Sequence, residues 1–125
     1  MKNLFLVGTK DTPTIAFDQD KNILEISGSS YPEDTFKFYD PISSWMEEFL
    51  RIEGKKIQVN FKMLHFNSSS ALFYLEFLKL LESYQLKAKG TVKINWHYKR
   101  EDLDMLEIGE DYSMDTELRM QYIPF

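Results

Sequence analysis

The strongest constraint on the fold is a change of periodicity at one point in the chain. From Lys56 to Phe66 the apolar residues Ile57, Val59, Phe61 and Met63 fall at every second position, the pattern of a strand with one buried face. From Ala71 to Tyr84 there is no glycine, proline or β-branched residue, which suits a helix. Asn67-Ser68-Ser69-Ser70 joins the two runs. A Ser or Asn oxygen there can accept a free backbone N–H of the first helical turn. The same residues place hydroxyls where the helix dipole is positive and amides point outward, a setting that favours an anion such as phosphate. A simple capped helix start and an anion-responsive site are both compatible with these four residues.

The rest of the chain repeats the alternation of strand and helix. Residues 4–7 read as a short first strand. Residues 14–18 and 23–27, joined by Gln19-Asp-Lys-Asn22, read as a hairpin with a polar turn. Residues 28–39 look irregular. Asp40-Pro41 then has the form of an N-cap followed by a first helical residue. Ile42, Trp45, Met46, Phe49 and Leu50 make one apolar stripe, and Gly54 closes the segment, so a helix is expected over 41–52. A second helix is expected over 69–84. Thr91 to Tyr98 alternates as another strand, and 102–113 reads as an acidic helix interrupted or ended near Gly109. Residues 116–123 suit either a last strand or an extension of that helix. The order implies an α/β fold: a mixed four- to five-stranded sheet that opens with a hairpin, has parallel later strands, and is covered by three helices.

Bulk properties narrow the function. A chain of 125 residues, 43% hydrophobic and 15% aromatic, suits one well-packed domain spanning 1–125. A net charge of -5 argues against a general nucleic-acid binder. Without cysteine there is neither a disulfide framework nor a thiol catalyst. Only four consecutive apolar residues follow Asn3, too few for a signal-peptide core. No segment reaches the length of a membrane span. The expectation is a cytoplasmic protein without membrane insertion.

Candidate chemistry is sparse. His65 and His97 both sit toward the C-terminal ends of expected strands, where open α/β sheets bind ligands, but no metal-ligand spacing accompanies them. No metal or other cofactor is expected. There is no nucleophile-elbow, phosphate-loop or dinucleotide glycine motif. A small hydrolase or ligand-binding domain using Ser68 with His65 or His97 stays open, because triads form in space rather than in sequence. The acidic run 101–111 lacks the ligand pattern of a calcium loop. The second helix is apolar over more than half its circumference, with Glu76, Lys79 and Ser83 as its polar strip. Flanking helices or a partner must cover the excess.

Several separated motifs carry a family resemblance: Ser30-Tyr-Pro-Glu33, Phe38-Tyr-Asp-Pro41 with Trp45, His65-Phe-Asn-Ser-Ser-Ser70, Asn95-Trp-His-Tyr98 and Met105-Leu-Glu-Ile-Gly-Glu-Asp111. In this order they resemble the SiaC-like regulatory phosphoproteins over most of the chain. The resemblance implies a fold like the STAS domains of anti-sigma-factor antagonists and a non-enzymatic, partner-switching role in cyclic di-GMP signalling and biofilm control. It implies a cognate Ser/Thr kinase, a PP2C-type phosphatase and, as output, a diguanylate cyclase bound and activated by the dephosphorylated form. The family's phospho-acceptor Thr corresponds to Ser68, which keeps the hydroxyl. His65 stands where the family commonly has Tyr. Asn67, Ser68, Ser69, Phe73 and Phe77 are then the expected partner-binding residues. Ser68 is expected just outside the helix, with Ser70 occupied in capping.

Overall fold

The computed structural model describes all residues, Met1–Phe125. Strands β1 (Leu4–Leu6), β2 (Thr14–Asp18) and β3 (Ile23–Ser30) are followed by helix α1 (Thr35–Phe49) and strand β4 (Lys56–Phe66). Then come α2 (Ser68–Lys87), β5 (Thr91–Tyr98), α3 (Leu103–Asp115) and β6 (Arg119–Pro124). The strands form one sheet in the order β1-β2-β3-β4-β5-β6. The β1–β2 and β2–β3 pairs are antiparallel, and the three later pairs are parallel. The mixed sheet and opening hairpin agree with the sequence. The count does not: there are six strands rather than four or five, because both terminal stretches join the sheet. Residues 119–124 are a strand, paired from Lys93↔Arg119 to Tyr98↔Pro124.

All three helices lie against one face. The ring of Trp45 on α1 sits 5.3 Å from Phe17, Tyr74 on α2 lies 5.5 Å from Phe61, and Tyr112 on α3 lies 5.6 Å from Trp96. The buried core follows the predicted alternation, with Ile57, Val59, Phe61 and Met63 from β4 and Val92, Ile94 and Trp96 from β5. One irregularity breaks it. The β3–β4 register shifts between Gly28 and Ser29, leaving Leu64 without a partner, a β-bulge. Beyond it Phe66 faces the helices, its ring 5.1 Å from Tyr74. Because β3, β4 and β5 run parallel and each is followed by a helix on the same face, their ends and the starts of α1, α2 and α3 gather along one edge.

The helix bounds differ from expectation, slightly at α2, which runs from Ser68 to Lys87 instead of 69–84, and more at α1 and α3. α1 begins at Thr35, capped by Asp34, whose carboxylate accepts from Lys37 N at 3.1 Å. Asp40 and Pro41 therefore lie inside the helix rather than at its start. Pro41 supplies no N–H for the Lys37 carbonyl, yet the helix continues, because Tyr39, Ile42, Met46 and Phe49 are all buried along it. Helical stability in proteins comes mainly from such packing. α3 runs through Gly109 to Asp115. The glycine is there for proximity: a Cβ at that position would lie 2.6 Å from the Trp96 ring, whose Nε1 donates to Met105 O at 2.9 Å.

Candidate regulatory site

The β4–α2 junction is built on Asn67. Its N–H donates to Ser30 O at 3.1 Å, and its carbonyl accepts from Ala71 N. Its side-chain oxygen accepts from Ser70 N at 2.9 Å. Asn67 is thus the N-cap, in extended conformation (φ -84, ψ 175), and Ser68 is the first helical residue rather than one outside the helix. Ser70 does not cap. It is fully buried and its hydroxyl joins Ser30 Oγ at 2.7 Å.

That contact belongs to a buried chain of hydroxyls. Ser30 Oγ also meets Tyr39 OH at 2.6 Å, and Tyr39 OH meets Tyr74 OH at 2.7 Å. The chain ends at acceptors on both sides, Ser30 O near Ser70 and Met63 Sδ near Tyr74. With one proton per hydroxyl, every donor is used whichever way the chain runs. Burial, the largest cause, raises the Tyr39 phenol above its ordinary value against the opposing Ser30 hydrogen bond. Burial also raises Tyr74 well above its ordinary value, reinforced by the neighbouring Tyr39. The four groups stay neutral and tie the end of β3, α1 and the first turn of α2 together. The sequence contains Ser30 and Tyr39 within its motifs, but nothing in it pairs them across 9 to 40 positions.

Ser68 and Ser69 differ from Ser70. Both are exposed, and neither hydroxyl is hydrogen-bonded to any protein atom. No acidic residue lies in the first turn of α2, and its cap is a neutral Asn, whereas α1 and α3 are capped by Asp34 and Asp102. The positive end of the α2 dipole is therefore uncompensated, with two free hydroxyls on it.

The other expected site residues separate. Phe73 is half-buried, stacked on Tyr39 at 4.0 Å. Phe77 is only 3% exposed and belongs to the core, its remaining surface lining a small hollow with Phe73 and Leu80; the exposed apolar residues of α2 are Leu72, Leu80 and Leu86. α2 lies between the other helices, Phe73 against α1 and Ala71 O accepting from Tyr112 OH on α3 at 2.7 Å. These contacts cover part of its excess apolar surface and leave part open. His65 lines a small cavity with Tyr31, Phe66 and Asp102, whereas His97 lines another with Gly28, Lys62 and Leu64. Burial and the Lys62 charge lower the His97 pKa, partly offset by Glu25. Neither imidazole is hydrogen-bonded to Ser68, so no Ser–His pair is assembled. No group of three His, Asp or Glu side chains could hold a metal ion, and no helix is long and apolar enough to cross a membrane.

Fold and site together define a small α/β protein whose accessible chemistry is a pair of hydroxyls at a helix start. Residues 6–125 match the SiaC family of regulatory phosphoproteins, and the chain belongs to that family. It is 30% identical over 115 residues, 92% of this chain and 90% of the relative, to an uncharacterised protein of Pseudomonas aeruginosa strain UCBPP-PA14. The crystal structure of apo-SiaC from P. aeruginosa superposes with a TM-score of 0.91 at 28% identity, covering 98% of this chain and 99% of the other. A chain in the crystal structure of the diguanylate cyclase SiaD in complex with its activator SiaC, also from P. aeruginosa, gives a TM-score of 0.91 at 27% identity, with the same coverage.

Proposed function

We propose that this protein is a non-enzymatic, cytoplasmic signalling switch whose state is set by phosphorylation of Ser68. The observation that carries the reading is the start of α2: a neutral cap, no acid in the first turn, and an exposed hydroxyl with no partner at the first helical position. A phosphate there adds roughly -1.5 to -2 charge where the helix end tolerates it, so the fold need not change. A partner packed over the junction would then bury an unpaired charge, at a cost of several kcal/mol. Since 1.4 kcal/mol is about tenfold in affinity, that ends a micromolar complex. A cognate Ser/Thr kinase adds the phosphate and a PP2C-type phosphatase removes it. The dephosphorylated form binds and activates a diguanylate cyclase; the SiaD–SiaC complex supports this choice of output. A STAS-like fold and a role in biofilm control belong to the same proposal.

The test is phosphopeptide mapping after co-expression with the kinase, paired with cyclase-binding assays of Ser68→Asp and Ser68→Ala. Phosphate is expected on Ser68. Ser68→Asp should bind the cyclase at least about tenfold more weakly, with an unchanged or slightly raised melting temperature, while Ser68→Ala binds like unmodified protein. Phosphate on Ser69 alone, or tight binding by a folded Ser68→Asp, would overturn the assignment.

A further inference from the structure

Beside the first turn of α2 runs a cleft of about 440 Å3 between α1 and α2. Phe36, Tyr39 and Asp40 line it from α1, and Leu72, Phe73 and Glu76 from α2. A second, smaller hollow shares Phe73 and Glu76 and extends it toward Leu80. Phe36 is 81% and Leu72 58% exposed, so two large apolar side chains stand in water at its mouth. The walls carry two carboxylates and no cation. Neither Asp40 nor Glu76 is in a salt bridge, the one salt bridge of the molecule being Lys62–Glu25 on the other face of the sheet. The floor is the stacked Tyr39–Phe73 pair, of which Tyr39 is tied into the buried hydroxyl chain.

Tyr39 is 2% exposed and stacked against Phe73, so the half-buried Phe73 ring beside two unpaired carboxylates is the receptor for a planar cation, because the ring quadrupole and the carboxylates both attract it. Arginine fits better than lysine: its guanidinium stacks on rings and bridges carboxylates with several donors. Apolar side chains at the mouth require apolar neighbours on the occupant, and a trough between two helices accepts a third amphipathic helix. We propose that this cleft binds a partner's amphipathic helix that carries an arginine between apolar residues, the arginine seated over Phe73 between Asp40 and Glu76. The proposal deepens the function above and rests on its reading of the α2 start as a partner surface. Ser69 lines the cleft and Ser68 does not, so the arginine seat and the phosphorylation point adjoin without coinciding. The partner's arginine supplies affinity at Asp40 and Glu76, while its cover over the first turn responds to the charge on Ser68.

The probe is a helical peptide of about 16 residues, long enough to hold some helix in water, with leucines at i, i+3 and i+7 and one central arginine. A second peptide has citrulline, the same shape without charge, in place of the arginine. Each is titrated into isotope-labelled, unphosphorylated protein and followed by NMR. The arginine peptide should shift amides along the facing sides of α1 and α2 and bind about fivefold more tightly than the citrulline peptide, as expected for one partly desolvated cation seat. Asp40→Asn with Glu76→Gln should remove that preference and leave the citrulline peptide's affinity unchanged. Both residues are exposed, so folding is not at risk. Equal binding of the two peptides, shifts on the open sheet face, or no binding would overturn the proposal. So would amide shifts at the cleft on dilution without peptide, because the occupant would then be a second copy of the chain. Cyclase binding that resists Ser68→Asp while the peptide preference holds would remove the switch and keep the seat; the converse result would remove the seat and keep the switch.

Discussion

The starts of α2 and α3 share a geometry and differ in chemistry. Asn67 accepts from Ser70 N at 2.9 Å, and Asp102 accepts from Met105 N at 3.0 Å. Each cap follows a parallel strand and opens a helix on the same face of the sheet. At α3 the cap is charged, Asp104 adds an acid in the first turn, and the residue three beyond the cap is an apolar core side chain, Met105. At α2 the cap is neutral, the turn holds no acid, and the corresponding residue is a serine locked into a hydroxyl chain. One junction has its dipole already compensated and serves packing. The other leaves its dipole open and is held by polar bonds that specify geometry. The comparison shows that a helix start becomes a candidate switch through what is withheld from it as much as through its hydroxyls.

The largest expected effect tests the packing side of that contrast. Met105→Ala removes a buried side chain that packs within the core and should cost about 2–5 kcal/mol in urea unfolding. A loss well under 1 kcal/mol would mean that α3 is not anchored by its third residue.

Next comes the polar side. Ser70→Ala leaves Ser30 and its neighbours one partner short in a dry site and should cost about 1–3 kcal/mol. If the hydroxyl chain is as closed as its distances imply, Ser70→Ala combined with Tyr39→Phe should not be additive. The chain also predicts alkaline sensitivity. The Tyr39 and Tyr74 pKa values are raised in the folded state above the ordinary 10.0, so their contribution is complete below pH 10 and is lost as pH rises from there through the folded values. Melting temperature should fall above pH 10, and less steeply in Tyr74→Phe; equal slopes would show that Tyr74 does not contribute.

A smaller effect separates the two caps. Asn67→Ala and Asp102→Ala should each cost about 1 kcal/mol. Salt should erode the loss at Asp102, because its charge–dipole component is screened, and leave the loss at Asn67 unchanged. The same salt response at both would erase the electrostatic difference between the junctions.

The smallest effect is the most direct. Ser68→Asp should raise stability by about 0.3–1 kcal/mol, because it meets an uncompensated helix end. Leu103→Asp at the corresponding position of α3 should raise it by less, since Asp102 and Asp104 already stand there. Melting curves of both variants at low salt decide it.

Much of this was legible in the linear pattern. Period-two alternation located β4 and β5 with their buried faces, and the helical run after Ser70 located α2, because both signals come from local backbone geometry and the side on which apolar residues fall. The position of Ser68 at a helix start was legible for the same reason. The roles of the three serines were not. Exposure, and a hydroxyl's partner, depend on what other segments bring to the spot. Ser30 from β3, Tyr39 from α1 and Tyr74 from α2 converge only after the sheet has assembled, and they turn Ser70 from a capping candidate into a buried strut. The start of α1 escaped as well: Asp40-Pro41 is a better local cap signal than Asp34, yet burial of Tyr39 and Ile42 extends the helix across it. Phe77 and Phe73 look alike in sequence. One became core and the other the floor of a cleft, because a helix flanked on both sides has its faces assigned by its neighbours rather than by its own residues.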